Sequence, residues 1–165
     1  MRPSIVLLFA ALAIQGCVSH SQIMINSQGQ MYRCGSWGQG LGGVIAAEQI
    51  HKDCMTSMLA AGYLEIERAG VIGITFAESL PGDTITSVLK VADKSPAATA
   101  GIKPGDKVFK VDDLAVRTMN DARSVMFGIA DTPVRLTVFR GELVLTFNLV
   151  RASYTKVYGM PKLPR

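Results

Sequence analysis

Hydrophobic and polar positions follow several rhythms along this chain. Residues 5–14 are apolar without a break. Residues 18–33 are mostly polar, with Ser19, Ser21, Asn26, Ser27, Gln28, Gly29 and Gln30, which predicts an extended tether and at most a short strand near Ile23 to Ile25. Glycines then crowd residues 35–43 around Trp37, a composition that predicts a flexible turn. From 44 to 61 the apolar residues Ile45, Ile50, Cys54, Met55, Met58 and Leu59 recur near the helical period, and Gly62 is placed to stop the helix.

Beyond Gly62 the period shortens toward two and Gly, Pro and Asp punctuate it. Strands are predicted at 63–67, 72–78, 84–91, 107–111, 134–140 and 143–150. Two helices interrupt them. A short one at 97–100 has Ser95 to cap it and Pro96 in its first position. A second at about 119–129 has Thr118 or Asn120 as cap and Ala122, Val125, Met126 and Ile129 along one apolar face, with Pro133 blocking continuation. Gly141 supplies the tight turn of a hairpin between the last two strands. Residues 152–165, with two prolines and several basic groups, are expected to form a loose tail.

Composition narrows the function classes. The chain has 165 residues, 48% of them hydrophobic, enough for one ordinary domain with a buried core. The net charge of +4 is spread without a basic run or interleaved aromatics, so a nucleic-acid partner is not expected. The glycine-rich stretch lacks the Lys-Ser/Thr ending of a phosphate loop, and neither His20 nor His51 stands at ligand spacing from a cysteine, so no metal or other cofactor is expected.

The apolar run at 5–14 is too short to cross a bilayer, which takes about 20 residues in a helix, and it fits the core of a secretory signal. The sequence Ile14-Gln15-Gly16-Cys17 that follows resembles the lipobox of bacterial lipoproteins. That resemblance implies lipidation of Cys17 as the first mature residue and a membrane-anchored, periplasm-facing protein of the cell envelope. Val18 after it favours the outer membrane over the inner. With Cys17 assigned, Cys34 and Cys54 remain as a pair in an oxidising compartment, which predicts a disulfide that staples the N-terminal helix to the segment leading into it.

Residues 95–114, Ser-Pro-Ala-Ala-Thr-Ala-Gly-Ile-Lys-Pro-Gly-Asp-Lys-Val-Phe-Lys-Val-Asp-Asp-Leu, resemble the most recognisable segment of PDZ domains, and Ile72-Gly73-Ile74 resembles the motif that opens their ligand-binding strand. The resemblance covers about residues 66–151. It implies an α+β fold, a PDZ-like small β-barrel or sandwich with two helices, here preceded by the disulfide-stapled N-terminal helix. The expected organisation is a signal peptide (1–16), a polar tether (17–33), a helical segment with the disulfide (34–65), the PDZ-like domain (66–151) and a basic tail (152–165).

The same resemblance implies that an extended peptide, or the C-terminus of a protein, adds to the sheet as a strand. Its candidate site comprises Val71, Ile72, Gly73, Ile74, Thr75 and Phe76 along the strand and Ala122, Val125, Met126 and Ile129 on the facing helix. Val71 replaces the first glycine common in the family, and the helix offers no histidine, so an internal strand is as eligible a ligand as a free carboxyl end. The implied partners are an envelope protease or a component of a secretion assembly. The chain is not expected to be an enzyme, because the two histidines and the serines do not assemble a nucleophile triad. Two other readings stand beside the adaptor: a structural lipoprotein whose groove is closed by its own tail, and, with less support, a protease accessory subunit with vestigial activity.

Overall fold

The computed structural model describes residues 16–77 and 86–162. The signal segment, Gly16 apart, lies outside them, as do the far end of the strand expected at 72–78 and the first residues of the one at 84–91. Among the described residues the chain forms twelve strands and four helices.

The first is β1 (Cys17–Ile25), which pairs in antiparallel register with β2 (Met31–Gln39) from Cys17 opposite Gln39 to Ile25 opposite Met31. The tether expected at 17–33 and residues 35–39 of the expected turn are therefore a long hairpin, and residues 40–43 of that turn are helical. The polar residues of β1 alternate with positions facing the following helix, so a half-exposed strand is compatible with a polar composition. Asn26 shapes the connecting turn, its Oδ1 accepting from the Gln28 and Gln30 amides at 3.0 and 2.9 Å.

Helix α1 (Gly40–Ala60) lies across the hairpin and buries only Ala47. Small residues make the approach possible: a Cβ on Gly38 would collide with the Gly43 carbonyl, and Ser36 Oγ donates to the Ala47 carbonyl at 2.6 Å. Cys34 and Cys54 form the expected disulfide, 5.7 Å between their Cα atoms. His20 stacks on His51 at 5.1 Å between ring centroids. Strand β3 (Leu64–Glu65) adds to the free side of β1, and Ile25, Ile66 and Ala69 form a small core there.

The second region holds β4 (Ala69–Val71), β5 (Ile74–Phe76), β6 (Thr86–Val91), α2 (Pro96–Ala100), β7 (Lys107–Val111), β8 (Leu114–Ala115), α3 (Met119–Met126), β9 (Gly128–Ile129), β10 (Pro133–Arg140) and β11 (Leu143–Val150). The main sheet runs β11-β10-β7-β6-β5, with β8 beside β7, and a smaller sheet runs β12-β4-β9, where β12 is Ala152–Ser153. The sheets do not close into the expected barrel. Strand β4 pairs with β9 and β12 instead of joining the main sheet, which leaves β5 as that sheet's edge. The core under the main sheet includes Ile72, Phe76, Val88, Val108, Val111, Leu136 and Val138.

Local chemistry explains the helix ends. Ser95 Oγ accepts from the Ala98 amide at 3.2 Å, Pro96 follows in the first turn, and Gly101 ends α2 in the left-handed region with φ 82. Thr118 and Asp121 form a reciprocal capping box on α3. Within the described residues the C-terminal segment is not the expected loose tail: β12 leads into α4 (Tyr154–Tyr158), and Tyr154 packs against the small core, while residues 163–165 lie outside them.

One buried ion pair ties the loop after α2 to β10. Asp106 is 1% exposed and accepts from Arg140 Nε and Nη2 at 2.7 and 2.8 Å and from the Lys103 amide at 2.9 Å. Burial pushes the Asp106 carboxyl up, but the Arg140 and Lys103 hydrogen bonds outweigh it and hold the group below its ordinary value.

Candidate functional site

The edge strand β5 and helix α3 face each other across an open cleft of about 200 Å³. The floor is the corner between β4 and β5, residues 71–73. Gly73 has φ 82, and a Cβ there would collide with the Cβ and Oγ of Ser95, the cap of α2. The glycine is needed as much for this close passage over α2 as for any ligand. The corner is pinned by its carbonyls: the Ala97 amide donates to Ile72 O at 3.0 Å and the Ala92 amide to Gly73 O at 2.8 Å.

Its amides are a different matter. Ile72 and Gly73 are buried, and among the described residues neither main-chain N–H donates to a protein acceptor. Buried amides without an acceptor are uncommon in folded proteins. Two in succession at the head of an edge strand make a concave donor pair suited to a carboxylate or a carbonyl.

All six strand residues expected at the site line the cleft: Val71, Ile72, Gly73, Ile74, Thr75 and Phe76. Ile72 and Phe76 belong at the same time to the core, so their backbones face the cleft while their side chains hold the sheet. Ile74 is opposite Val91 and Thr75 opposite Lys90 on the inner side, leaving the outer side of β5 open toward α3.

The helix side differs from expectation. Of the four predicted residues only Met126 lines the cleft. Ala122 is fully buried and Val125 packs against the core. Ile129 is not helical: it sits in β9 opposite Ala69 and is 48% exposed. The helix stops at Met126 because Arg151, nearly buried, donates to the Val125 and Met126 carbonyls at 2.9 and 2.8 Å, and its side chain fills the space where a Cβ on Gly128 would point. The apolar face expected along the whole helix is turned into the core.

What lines the cleft in their place is Arg123, one helical turn before Met126, together with Phe127. The far wall comes from outside the sheet–helix pair: Ile25 and the turn residues Asn26 to Gly29 of the hairpin, and Tyr154 and Tyr158 of α4. Burial raises the Tyr154 phenol above its ordinary value. The i, i+4 spacing of the two tyrosines was visible in the sequence as a helical pair, and Arg123 shares a helix face with Met126 by its i, i+3 spacing. The hairpin turn carried no such signal. The segment after residue 151 does not run along β5; Ala152 and Ser153 pair with Val71 and Gly70 on the other side of the corner.

Cys17 is exposed at the start of β1, and no helix among the described residues is long and apolar enough to cross a membrane.

A protein of Agrobacterium fabrum that carries the name of a zinc metalloprotease is 38% identical over 74 residues, 44% of this chain and 20% of its own. A carboxy-terminal-processing protease of Bartonella bacilliformis is 31% identical over 90 residues, 48% of this chain and 21% of its own. The chain thus spans about a fifth of the length of these relatives. Among solved structures, the PDZ domain of a carboxy-terminal protease from Vibrio cholerae in complex with a peptide superposes with a TM-score of 0.43 and 20% identity, over 52% of this chain and 94% of that one. The family model for PDZ domains matches residues 70–150, and that stretch of the chain is a PDZ domain.

Proposed function

We propose that this PDZ domain binds the carboxyl end of an extended peptide, taken up as an added strand on the open side of β5, and that the protein works as an adaptor on the envelope membrane. The observation that carries the reading is that the buried residues Ile72 and Gly73, at the head of that edge, find no protein acceptor for their main-chain amides among the described residues. A terminal carboxylate satisfies both, and the strand that precedes it takes its main-chain bonds from β5. Met126 and Phe127 offer the ligand's last side chain an apolar wall. The reading assigns recognition and no catalysis; the sulfurs of Cys34 and Cys54 are engaged with each other. Lipidation of the exposed Cys17 would tether the domain to the envelope, outer membrane before inner, where a protease or a secretion component presents or receives the bound peptide.

The test is a calorimetric titration of the full chain with apolar-ended peptides carrying free or amidated carboxyl ends, with the Ile72 and Gly73 amide resonances followed in parallel. Preference for free ends, with downfield shifts of both amides, is expected. Equal binding of both ends would replace the carboxylate by an internal segment. No binding by a folded chain would overturn peptide recognition. Mass spectrometry of the protein expressed with its signal tests the anchor, since unmodified Cys17 in the mature protein would remove it.

A further inference from the structure

At the end of the N-terminal hairpin where β1 begins, three large apolar side chains stand in solvent: Trp37 is 68% exposed, Leu41 82% and Ile45 61%. Leu41 and Ile45 share one face of α1 by their i, i+4 spacing. Trp37 alternates with Ser36 and Gly38, which meet α1, and so projects from the opposite face of the hairpin. Cys17 lies between the two groups. Its partner across the hairpin is Gln39, Ser19 stands opposite Trp37, and the Gly16 carbonyl accepts from the Gly40 amide at 3.3 Å.

Charge is kept away from the same end. From Cys17 to Ala47 only Arg33 carries a formal charge. It stands six residues from Gln39, about 20 Å along β2. Gly38 meets Gly43, Ser36 bonds to Ala47 and Cys34 is joined to Cys54, so α1 runs back along β2 and away from Cys17. Along the helix, Ile45 is about 7.5 Å from Gly40, and Glu48, the first charged residue of α1, is about 12 Å away. Trp37 is about 6.6 Å from Gln39 along β2. Farther from Cys17, the exposed Ile50 has the charged and exposed Glu48, Lys52 and Asp53 around it in sequence. The end that carries Cys17 is thus an apolar, uncharged zone about 10 Å deep.

We infer that this end of the N-terminal unit docks directly on a lipid bilayer, with Trp37 on one side of Cys17 and Leu41 and Ile45 on the other. Two observations name the occupant. The unbroken apolar residues 5–14 lead into the structure at Gly16, beside the patch. The depth of the zone also matches the about 5–10 Å to which apolar surfaces sink into the headgroup boundary, a layer in which Trp is enriched. Docking rests on the membrane attachment proposed above and adds to it a second contact, which fixes orientation. With that end held, the hairpin is a stalk: β1 spans eight residue steps, so the Asn26–Gly29 turn, and the cleft it walls, stand about 26 Å along the strand from the docked end.

Trp37 is the single tryptophan of the chain, so its fluorescence reports on the patch without a label. The full chain, expressed with its signal, is reconstituted in vesicles of phosphatidylethanolamine and phosphatidylglycerol, plain or with acyl chains brominated near the headgroup, and acylation of Cys17 is read by mass. Wild type is expected to lose about half of its Trp37 emission to the brominated lipid and to shift the remainder to the blue. The double variant Leu41→Asp/Ile45→Asp should abolish both effects without touching Trp37. Because both residues are exposed, its circular dichroism and its Cys34–Cys54 bond should match wild type, and Leu41→Gln/Ile45→Gln repeats the test without added charge. Absence of quenching in wild type would overturn the inference. So would equal quenching in wild type and both double variants, because nearness to the anchor then suffices. Acylated Cys17 with unquenched Trp37 overturns docking and leaves the anchor. Unmodified Cys17 with quenched Trp37 that the double variants release overturns the lipid anchor and leaves docking, the chain then being held through residues 5–14. A concentration-dependent dimer in detergent that Leu41→Asp/Ile45→Asp abolishes, with no quenching in vesicles, would give the face to a second copy and overturn docking.

Discussion

The hairpin with α1 and the PDZ domain that follows it are held together by different means. In the PDZ domain a continuous core runs under the main sheet, from Ile72 and Phe76 through Val108 and Leu136 to Leu149, and the helix ends are fastened by Ser95, Thr118 and Arg151. Helix α1 has 21 residues, buries only Ala47, and has no side-chain cap at its start. Leu41 and Ile45 remain 82% and 61% exposed on it. Its attachment to the hairpin depends on glycine contact and on the Cys34–Cys54 bond. Buried apolar area stabilises at about 25 cal/mol per Å², so a helix with so little of it needs a covalent staple. One chain therefore yields a domain stabilised by packing and a unit stabilised by restraint, and substitutions should tell them apart.

The largest effect is expected in the core of the PDZ domain. Leu136 is fully buried in the centre of β10, and Leu136→Ala should cost about 4 kcal/mol in urea unfolding, through lost transfer energy and a residual cavity. A cost below about 1 kcal/mol would mean that the core does not dominate this domain. Next comes Arg140→Leu, which strands the buried Asp106 carboxylate and should cost about 3 kcal/mol at neutral pH. The wild-type pair also sets a pH dependence. Because the folded Asp106 pKa lies below its unfolded value near 3.9, its contribution is present above that value and fades as pH falls through the lower, folded one. Acid titration should therefore narrow the gap between wild type and Arg140→Leu; a gap that stays constant down to pH 2 would contradict the assignment.

The restrained unit should respond to a different perturbation. Replacing Cys34 and Cys54 together by Ala should remove between about 2 and 3 kcal/mol of hydrogen-exchange protection from β1, β2 and α1. Protection in β7 and β10 should barely change. Loss of protection in both regions alike would show that they unfold as one.

Legibility in the sequence divides along the same line. The PDZ segment was readable because its local signals agree with its tertiary role: Ser95 and Pro96 open α2, Gly101 closes it, and Gly141 turns the last hairpin with φ 61. The strand side of the cleft followed from Ile72-Gly73-Ile74. The helix side did not, because an apolar face shows which residues are buried and not whether they face core or cleft; Ala122 and Val125 took the core, and Arg151, 25 residues further on, decided where α3 ends. The hairpin reads as a tether because its strands expose one face and carry Ser, Arg and Gln there, and alternation is weak until Cys34, Ser36 and Gly38 are matched to α1. The cleft's far wall, from Asn26 to Gly29 and from Tyr154 to Tyr158, joins segments more than 120 residues apart, a proximity that no local pattern encodes.

The smallest predicted effect sharpens the comparison most directly, because it makes one change in opposite senses. Thr118 caps α3 with its side chain, accepting from the Asp121 amide at 3.1 Å, whereas Gln39, with an extended φ of −127, precedes α1 without a capping bond. Thr118→Ala should lower stability by about 1 kcal/mol, and Gln39→Asp should add up to about 1 kcal/mol to the N-terminal unit by accepting from the first free amides and by facing the positive end of the helix. The two differ in what else they touch. Loosening the start of α3 also loosens the helix that carries Arg123, so peptide affinity should fall with stability in Thr118→Ala. Gln39 lies at the Cys17 end of the hairpin, away from the turn that walls the cleft, so Gln39→Asp should change hydrogen exchange in α1 and leave affinity as it was. An affinity change of more than about threefold in Gln39→Asp would couple the stapled unit to the cleft through the Asn26–Gly29 turn, and would make the N-terminal hairpin part of the recognition machinery.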